Sequence, residues 1–350
     1  MQAAFFRQHG GPEVMEVGPL PDPAPQPGEA LVRVRAASLN RVDKWVRDGW
    51  PGLKLALPHV LGSDGAGEIV AVAPAAGPGA ALESAPFQPG TRVVINTSLS
   101  CGVCPACAAG QDNWCVRWEL LGETVKGSNA ELLAIPLRQL LPLPDDMPYA
   151  QAAAAALVFQ TAWHSLITRG QVRPGETVLI VGAGGGVNTA SIQVAKLAGC
   201  QVWVVGSDAA KLALARSLGA DVLIDRSEGD WGKRVYQLSG KRGVDVVVDN
   251  VGAATMMTSL RAARKGGRIL TVGNTAGPRF EFDNRYLFSK HLSLIGSTMS
   301  TRADFDAVMG LVFAGALKPV IDSTFALADI RAAHARLEQG TVQGKIVLTV

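Results

Sequence analysis

A chain of 350 residues, 48% apolar and 18% charged, has material for sizeable cores and is expected to divide into two domains. With 33 basic and 30 acidic side chains the formal charge is +3, which gives no field for nucleic acid or an anionic membrane surface. The opening Met-Gln-Ala-Ala-Phe-Phe-Arg lacks the apolar core of a signal peptide, and the alanine-rich run at 150–156 is too short to span a bilayer, so a soluble chain of the reducing cytoplasm is expected.

The first part reads as β-rich. Residues 30–36 alternate as a strand does, 68–72 and 92–96 likewise, with Pro and Gly between them, and helices look scarce. Then come Cys101, Cys104, Cys107 and Cys115, the one dense group of metal-ligand residues in the sequence. Their spacing lets four thiolates close around one tetrahedral Zn²⁺ with no open position, so a structural zinc is expected and the chemistry must lie elsewhere. Four reduced thiols in a loop are the bland alternative; disulfides fit less well, because the fifth cysteine, Cys200, is far away in an apolar strand context.

From residue 177 the pattern changes to apolar strands at 177–181, 201–205, 221–224, 244–249 and 268–272, with helical stretches at 188–199 and 211–218. That alternation predicts a parallel, doubly wound sheet. Ser300 or Thr301 caps a further helix to about residue 315, followed by a helix at 329–339 and a strand at 345–349 that return to the first domain.

Strand 178–181 runs straight into Gly182-Ala-Gly-Gly-Gly-Val-Asn188 and a helix. Glycines let the backbone approach a pyrophosphate, whose charge then meets free N–H groups at the helix start. Asn188 stands where a last glycine is usual. An NAD enzyme generally ends its second strand with a carboxylate for the ribose 2′-hydroxyl, whereas here the strand ends Val205-Gly206-Ser207. Gly206 leaves room, Ser207 donates, and Lys211 and Arg226 supply charge for a 2′-phosphate, so NADPH rather than NADH is expected. Asp208 complicates that reading, and Lys211 and Arg226 also fit as ordinary solvated charges.

With the cysteine lobe, the glycine turn, Leu61-Gly-Ser-Asp-Gly-Ala-Gly67 and Gly344-Lys-Ile-Val-Leu in that order, the chain resembles the zinc-type medium-chain dehydrogenase/reductase superfamily from end to end. It looks most like the NADPH:quinone oxidoreductase and enoyl reductase branch. The resemblance implies an α/β protein: a GroES-like β-rich catalytic domain (1–157 and 296–350, with the zinc lobe at 100–116), a Rossmann domain (158–295), and an active site in the cleft between them. It also implies a homodimer or homotetramer.

Alcohol dehydrogenases of the superfamily hold a second, catalytic zinc through a Cys, a His and a further Cys, positions that fall here on Asn40, Ser63 and Leu157. Without that Lewis acid an isolated ketone is a difficult acceptor, while a quinone or enone spreads the developing charge into a phenolate or enolate. Asn40 is expected to orient the nicotinamide or the substrate oxygen, unless it only caps local backbone, with Ser63 a nearby donor. The resemblance further places Arg41 and Lys345 at the pyrophosphate, Thr161 beside the nicotinamide, Gly185, Gly186 and Val187 in the backbone cradle, and Val251, Gly273 and Asn274 along the crevice. Asp43 reads as an internal ion-pair partner rather than a base. Trp45, Trp50 and Phe288 line an acceptor pocket or belong to the core, and His59 and His164 read as satisfied or solvated residues.

The leading expectation is an NADPH-dependent reductase of small-molecule quinones or enones. Two rivals remain: an alcohol dehydrogenase with a metal on unusual ligands such as Asp43, His59 or Asp64, and a cofactor-binding protein without catalysis.

Overall fold

The computed structural model describes residues 1–73 and 86–350. The chain forms two compact units, Met1–Leu157 with Thr301–Val350, and Val158–Ser300.

In the first unit the 11-residue strand Glu29–Leu39 is the spine. It pairs antiparallel with Asp64–Ala73, with Lys345–Thr349 and with Leu132–Pro136. Up to Arg35 it obeys the period of two, Ala30, Val32 and Val34 buried and Arg33 and Arg35 exposed. From Ala36 to Leu39 every residue is buried, because both faces of that end are covered. Opposite Val34 the neighbouring strand needs Gly67: a Cβ on it would fall 2.0 Å from the carbonyl oxygen of Arg33. The seven-stranded sheet runs Leu140–Pro142, Arg92–Ile95, Asp64–Ala73, Glu29–Leu39, Lys345–Thr349, Ile321–Ala326, with Leu132–Pro136 off this path. The last strands of the chain thus complete the sheet its first part begins.

This part holds more helix than its β-like pattern suggests. Arg41–Asp48 is helical, started by Asp43 reaching back to the N–H of Asn40 at 2.6 Å. The alanine-rich run lies in the helix Tyr149–Trp163, where Ala152 to Ala156 are fully buried; small side chains there let the helix pack closely.

The second unit carries a parallel six-stranded sheet in the order Val222–Asp225, Gln201–Gly206, Thr177–Val181, Val244–Asp249, Ala263–Thr271, Ser293–Gly296. The order reverses between Thr177–Val181 and Val244–Asp249, which makes the carboxyl ends of those strands the switch point where such sheets bind ligands. Ser293–Gly296 is too short and too exposed to register as a strand in sequence, yet it forms the sheet's edge strand. Among the described residues no helix is long and apolar enough to cross a membrane.

Candidate functional site

In the second unit Thr177–Val181 delivers the chain into a turn opened by Gly182 at φ +99°, and Gly185 caps the helix Gly186–Leu197. A Cβ on Gly185 would meet nothing within 4 Å, so that glycine stands beside open space at the helix's free N–H groups. Asn188, the departure from the usual glycine, is the clasp of the turn. Its amide donates to the carbonyls of Val181 and Gly182 at 2.9 and 2.8 Å and accepts from Asn250 Nδ2 at 3.1 Å. Asn250 in turn accepts the N–H of Val272, so three strand ends are tied together. Val251 and Asn274 lie on this rim: Ala276 N–H donates to Val251 O, and a Cβ on Gly273 would pack against Asn250.

At the neighbouring strand ends the register sets Gly206 opposite Asp225, so Ser207 and Arg226 are the next residues along. Gly206 is glycine for packing reasons: a Cβ there would sit 2.6 Å from Leu212. Asp208 caps the helix Ala209–Ser217 through the N–H of Lys211, accepts Ser207 Oγ at 2.9 Å, and lies 3.3 Å from Lys211 Nζ. The Lys211 N–H bond, then the Ser207 and Lys211 side chains, hold the Asp208 carboxyl below the usual range. Thr161 is buried, with its hydroxyl 3.9 Å from Met299 Sδ.

In the first unit the covered end of the spine gathers a polar cluster. Ser38 is the register partner of Asp64, and Ile346 opposite Leu39 leaves Lys345 beside Asn40. Asp64, fully buried, accepts from Ser38 Oγ at 2.8 Å, Asn40 Nδ2 at 2.9 Å, Leu157 N–H at 2.8 Å and Lys345 Nζ at 2.9 Å. Lys345 also donates to Asn40 Oδ1. Asp43 takes the N–H groups of Asn40 and Gly62. Burial raises its carboxyl to about 6, against those bonds and the Lys345 charge. Among the described residues no cation is within ion-pair distance of Asp43, so the expected internal ion pair belongs to its neighbour Asp64 instead. Arg41 opens the adjacent helix, and burial lowers its pKa, with Glu338 opposing. Ser63 is wholly buried and its hydroxyl has no hydrogen-bond partner among the described residues. His59, also buried, meets Gly122 O through Nε2 at 3.1 Å, and desolvation lowers its pKa. Trp45 and Trp50 are 36% and 41% exposed; Phe288, in the second unit, is 62% exposed.

The cysteine lobe stands apart from that cluster in its bonding. The sulfurs of Cys101, Cys104, Cys107 and Cys115 all lie within 4.8 Å of one another. Cys104 and Cys107 are 3.5 Å apart, and Cys101 and Cys107 3.9 Å. Four sulfurs roughly 2.3 Å from a common centre in a tetrahedron stand about 3.8 Å apart, so the arrangement fits zinc and is far too open for disulfides. N–H bonds from Val103 and Cys104 hold the Cys101 thiol down at about 5, and further N–H groups point at Cys115 from Cys101 and Arg117. Among the described residues this is the only gathered set of three or more His, Cys, Asp or Glu ligand atoms, so Asp43, His59 and Asp64 do not assemble a second one.

Residues 26–145 match the family model of the alcohol dehydrogenase GroES-like domain, and residues 186–314 that of the zinc-binding dehydrogenase. The quinone oxidoreductase of Pseudomonas aeruginosa is 33% identical over 98% of each chain. The acryloyl-coenzyme A reductase of Metallosphaera sedula is 30% identical over the whole of both. The chain belongs to the medium-chain dehydrogenase/reductase superfamily. Within it the chain stands in the quinone and enoyl reductase branch, and like the rest of the superfamily it is an oxidoreductase served by a nicotinamide cofactor. A crystal structure described as an NAD-dependent alcohol dehydrogenase shares the fold at a TM-score of 0.93, with 42% identity over the whole of both chains.

Sequence reasoning named Asn40, Ser63 and Lys345 but not what joins them. Asp64 and Ser38 were missed as the hub, and Asn250 as the partner of Asn188. The one available signal was a lone lysine opening an apolar strand, Lys345-Ile-Val-Leu.

Proposed function

We propose that this oxidoreductase passes hydride from NADPH to a quinone or an activated C=C bond with no catalytic metal. The observation that carries this reading is the cluster at Asn40, Ser63 and Leu157. Where metal-dependent relatives would need three ligands, this chain has an amide, a hydroxyl and a leucine whose N–H is spent on Asp64. The nicotinamide, when bound, supplies the hydride. Ser63, whose buried hydroxyl has no hydrogen-bond partner among the described residues, is then assigned as donor to the oxygen on which enolate or phenolate charge develops, while Asn40 keeps the surrounding frame. The names of the relatives from Pseudomonas aeruginosa and Metallosphaera sedula support both acceptor classes.

Preference for NADPH rests on Ser207, Lys211 and Arg226 at the second and third strand ends, and on Asp208 being committed to capping its helix. Gly185, Gly186 and Val187 are assigned to the pyrophosphate, with Val251, Gly273 and Asn274 along the crevice, Thr161 at the nicotinamide and Arg41 a further cationic contact. Cys101, Cys104, Cys107 and Cys115 are assigned one structural Zn²⁺. A homodimer or homotetramer is supported by the open edge at Ser293–Gly296, where Leu294 is 41% exposed.

The deciding experiment is oxidation of NADPH with a panel of quinones, enones and enoyl thioesters, with and without a chelator mild enough to leave the fold intact. Turnover that survives the chelator supports the reading; ethanol oxidation that vanishes with it would favour the second reading. That second reading, an NAD-dependent alcohol dehydrogenase, draws on the 42%-identical structure and requires about two zinc ions per chain rather than one.

A further inference from the structure

Lys345 is only 3% exposed, and its ammonium sits among groups of its own unit. It lies 2.9 Å from Asp64, whose side chain is 0% exposed. A buried ammonium and a buried carboxylate are each costly alone and tolerable only together. Among the described residues Asp64 has no other cation as a partner, the remaining donors being the neutral groups of Ser38, Asn40 and Leu157. Moving Lys345 out to meet a phosphate would strand that carboxylate in the interior.

The same ammonium fixes an orientation. An ammonium only donates, so the Asn40 atom facing it must be the amide oxygen, and the amide nitrogen is turned to Asp64 and to the carbonyl of Ser38. Sheet register supplies the geometry: Lys345, Asn40 and Asp64 come from three neighbouring strand ends.

The geometry points to Lys345 as an interior positioning residue, the counter-ion of Asp64 that locks the Asn40 amide, rather than a ligand of the cofactor's pyrophosphate. Its charge stands inside the polar cluster and balances the Asp64 carboxylate there.

Lys345→Met, Asp64→Asn and the double variant test this by thermal unfolding and by direct binding of whichever of NADPH and NADH the parent takes more tightly. Each single variant should lower the unfolding midpoint by on the order of 10 °C, and the double should regain at least half of that, because both charges leave together. The double should also bind the dinucleotide within about threefold of the parent, whereas removing a true phosphate ligand would weaken it by about tenfold or more. If Lys345→Met fails to fold, the double still carries both measurements. No recovery of stability in the double, or a tenfold loss of dinucleotide affinity, overturns the assignment. Only turnover rests on the reductase reading: with an accepted quinone the double should lose kcat by at least about tenfold with little change in the dinucleotide KM. Because binding and unfolding need no acceptor, failure to find a substrate leaves the assignment of Lys345 decidable.

Discussion

Asn188 and Asn250 meet side chain to side chain at 3.1 Å, across 62 residues of sequence, and join the glycine turn to the far side of the switch point. Asn188→Ala would leave the Asn250 amide and the carbonyls of Val181 and Gly182 short of partners. A loss of about 1–3 kcal/mol in unfolding free energy is expected, together with weaker dinucleotide binding. Denaturant unfolding and a binding titration check both; unchanged stability would show the clasp to be idle.

Ser63 offers the opposite case. A buried hydroxyl without a partner costs stability, so Ser63→Ala should hold or raise the unfolding free energy by roughly 1 kcal/mol while turnover of a quinone or enone falls by about 10²-fold or more. Parallel unfolding and steady-state measurements suffice. Undiminished turnover would remove Ser63 from the chemistry.

In the lobe, Cys104→Ser should release zinc and loosen residues 100–116 while part of the nicotinamide chemistry remains, since three thiolates bind much more weakly than four. Elemental analysis of the purified variant is the readout. Full retention of the metal would sink the structural assignment.

For the cofactor, Lys211→Ala with Arg226→Ala should weaken NADPH far more than NADH, at roughly 1.5–3 kcal/mol for each charged hydrogen bond removed. Dissociation constants for both dinucleotides decide it. Equal affinities in the parent would refute the preference, and so would loss of NADH binding to the same degree.

Asp43 makes stability depend on pH in an unusual direction. Its folded pKa, raised by burial from 3.8 to about 6, means the folded state holds the proton more tightly. The contribution is therefore complete below the unfolded pKa and is lost as pH rises through the folded one. Stability of the parent relative to Asp43→Asn should fall by up to about 3 kcal/mol between roughly pH 4 and 7, read from denaturant unfolding across that range. A difference that stays flat with pH would contradict it.

Much of this protein was legible in the chain because the relevant physics is local. The strands Thr177–Val181 and Val244–Asp249 have the bounds their apolar runs indicate, and Thr301 caps the helix Arg302–Phe313 through its hydroxyl, one of the two capping residues expected. The cysteine set was equally plain, since four ligands within 15 residues need no tertiary information to be brought together. Ser293–Gly296 was not legible: a short, exposed edge strand has no apolar run, and only its neighbour's free hydrogen-bonding groups make it a strand.

The sequence by itself determined the periodicities, the turn chemistry and the absence of Cys and His at Asn40, Ser63 and Leu157, because composition and spacing act over a few residues. Tertiary structure alone decided what those positions became. Lys345 and Asp64 are 281 residues apart, and no local rule can say that a cation and a carboxylate will share a buried end of one sheet. That pairing follows from register, in which one residue's shift would send every side chain to the other face. Desolvation does the rest, because once buried neither charge can remain without the other.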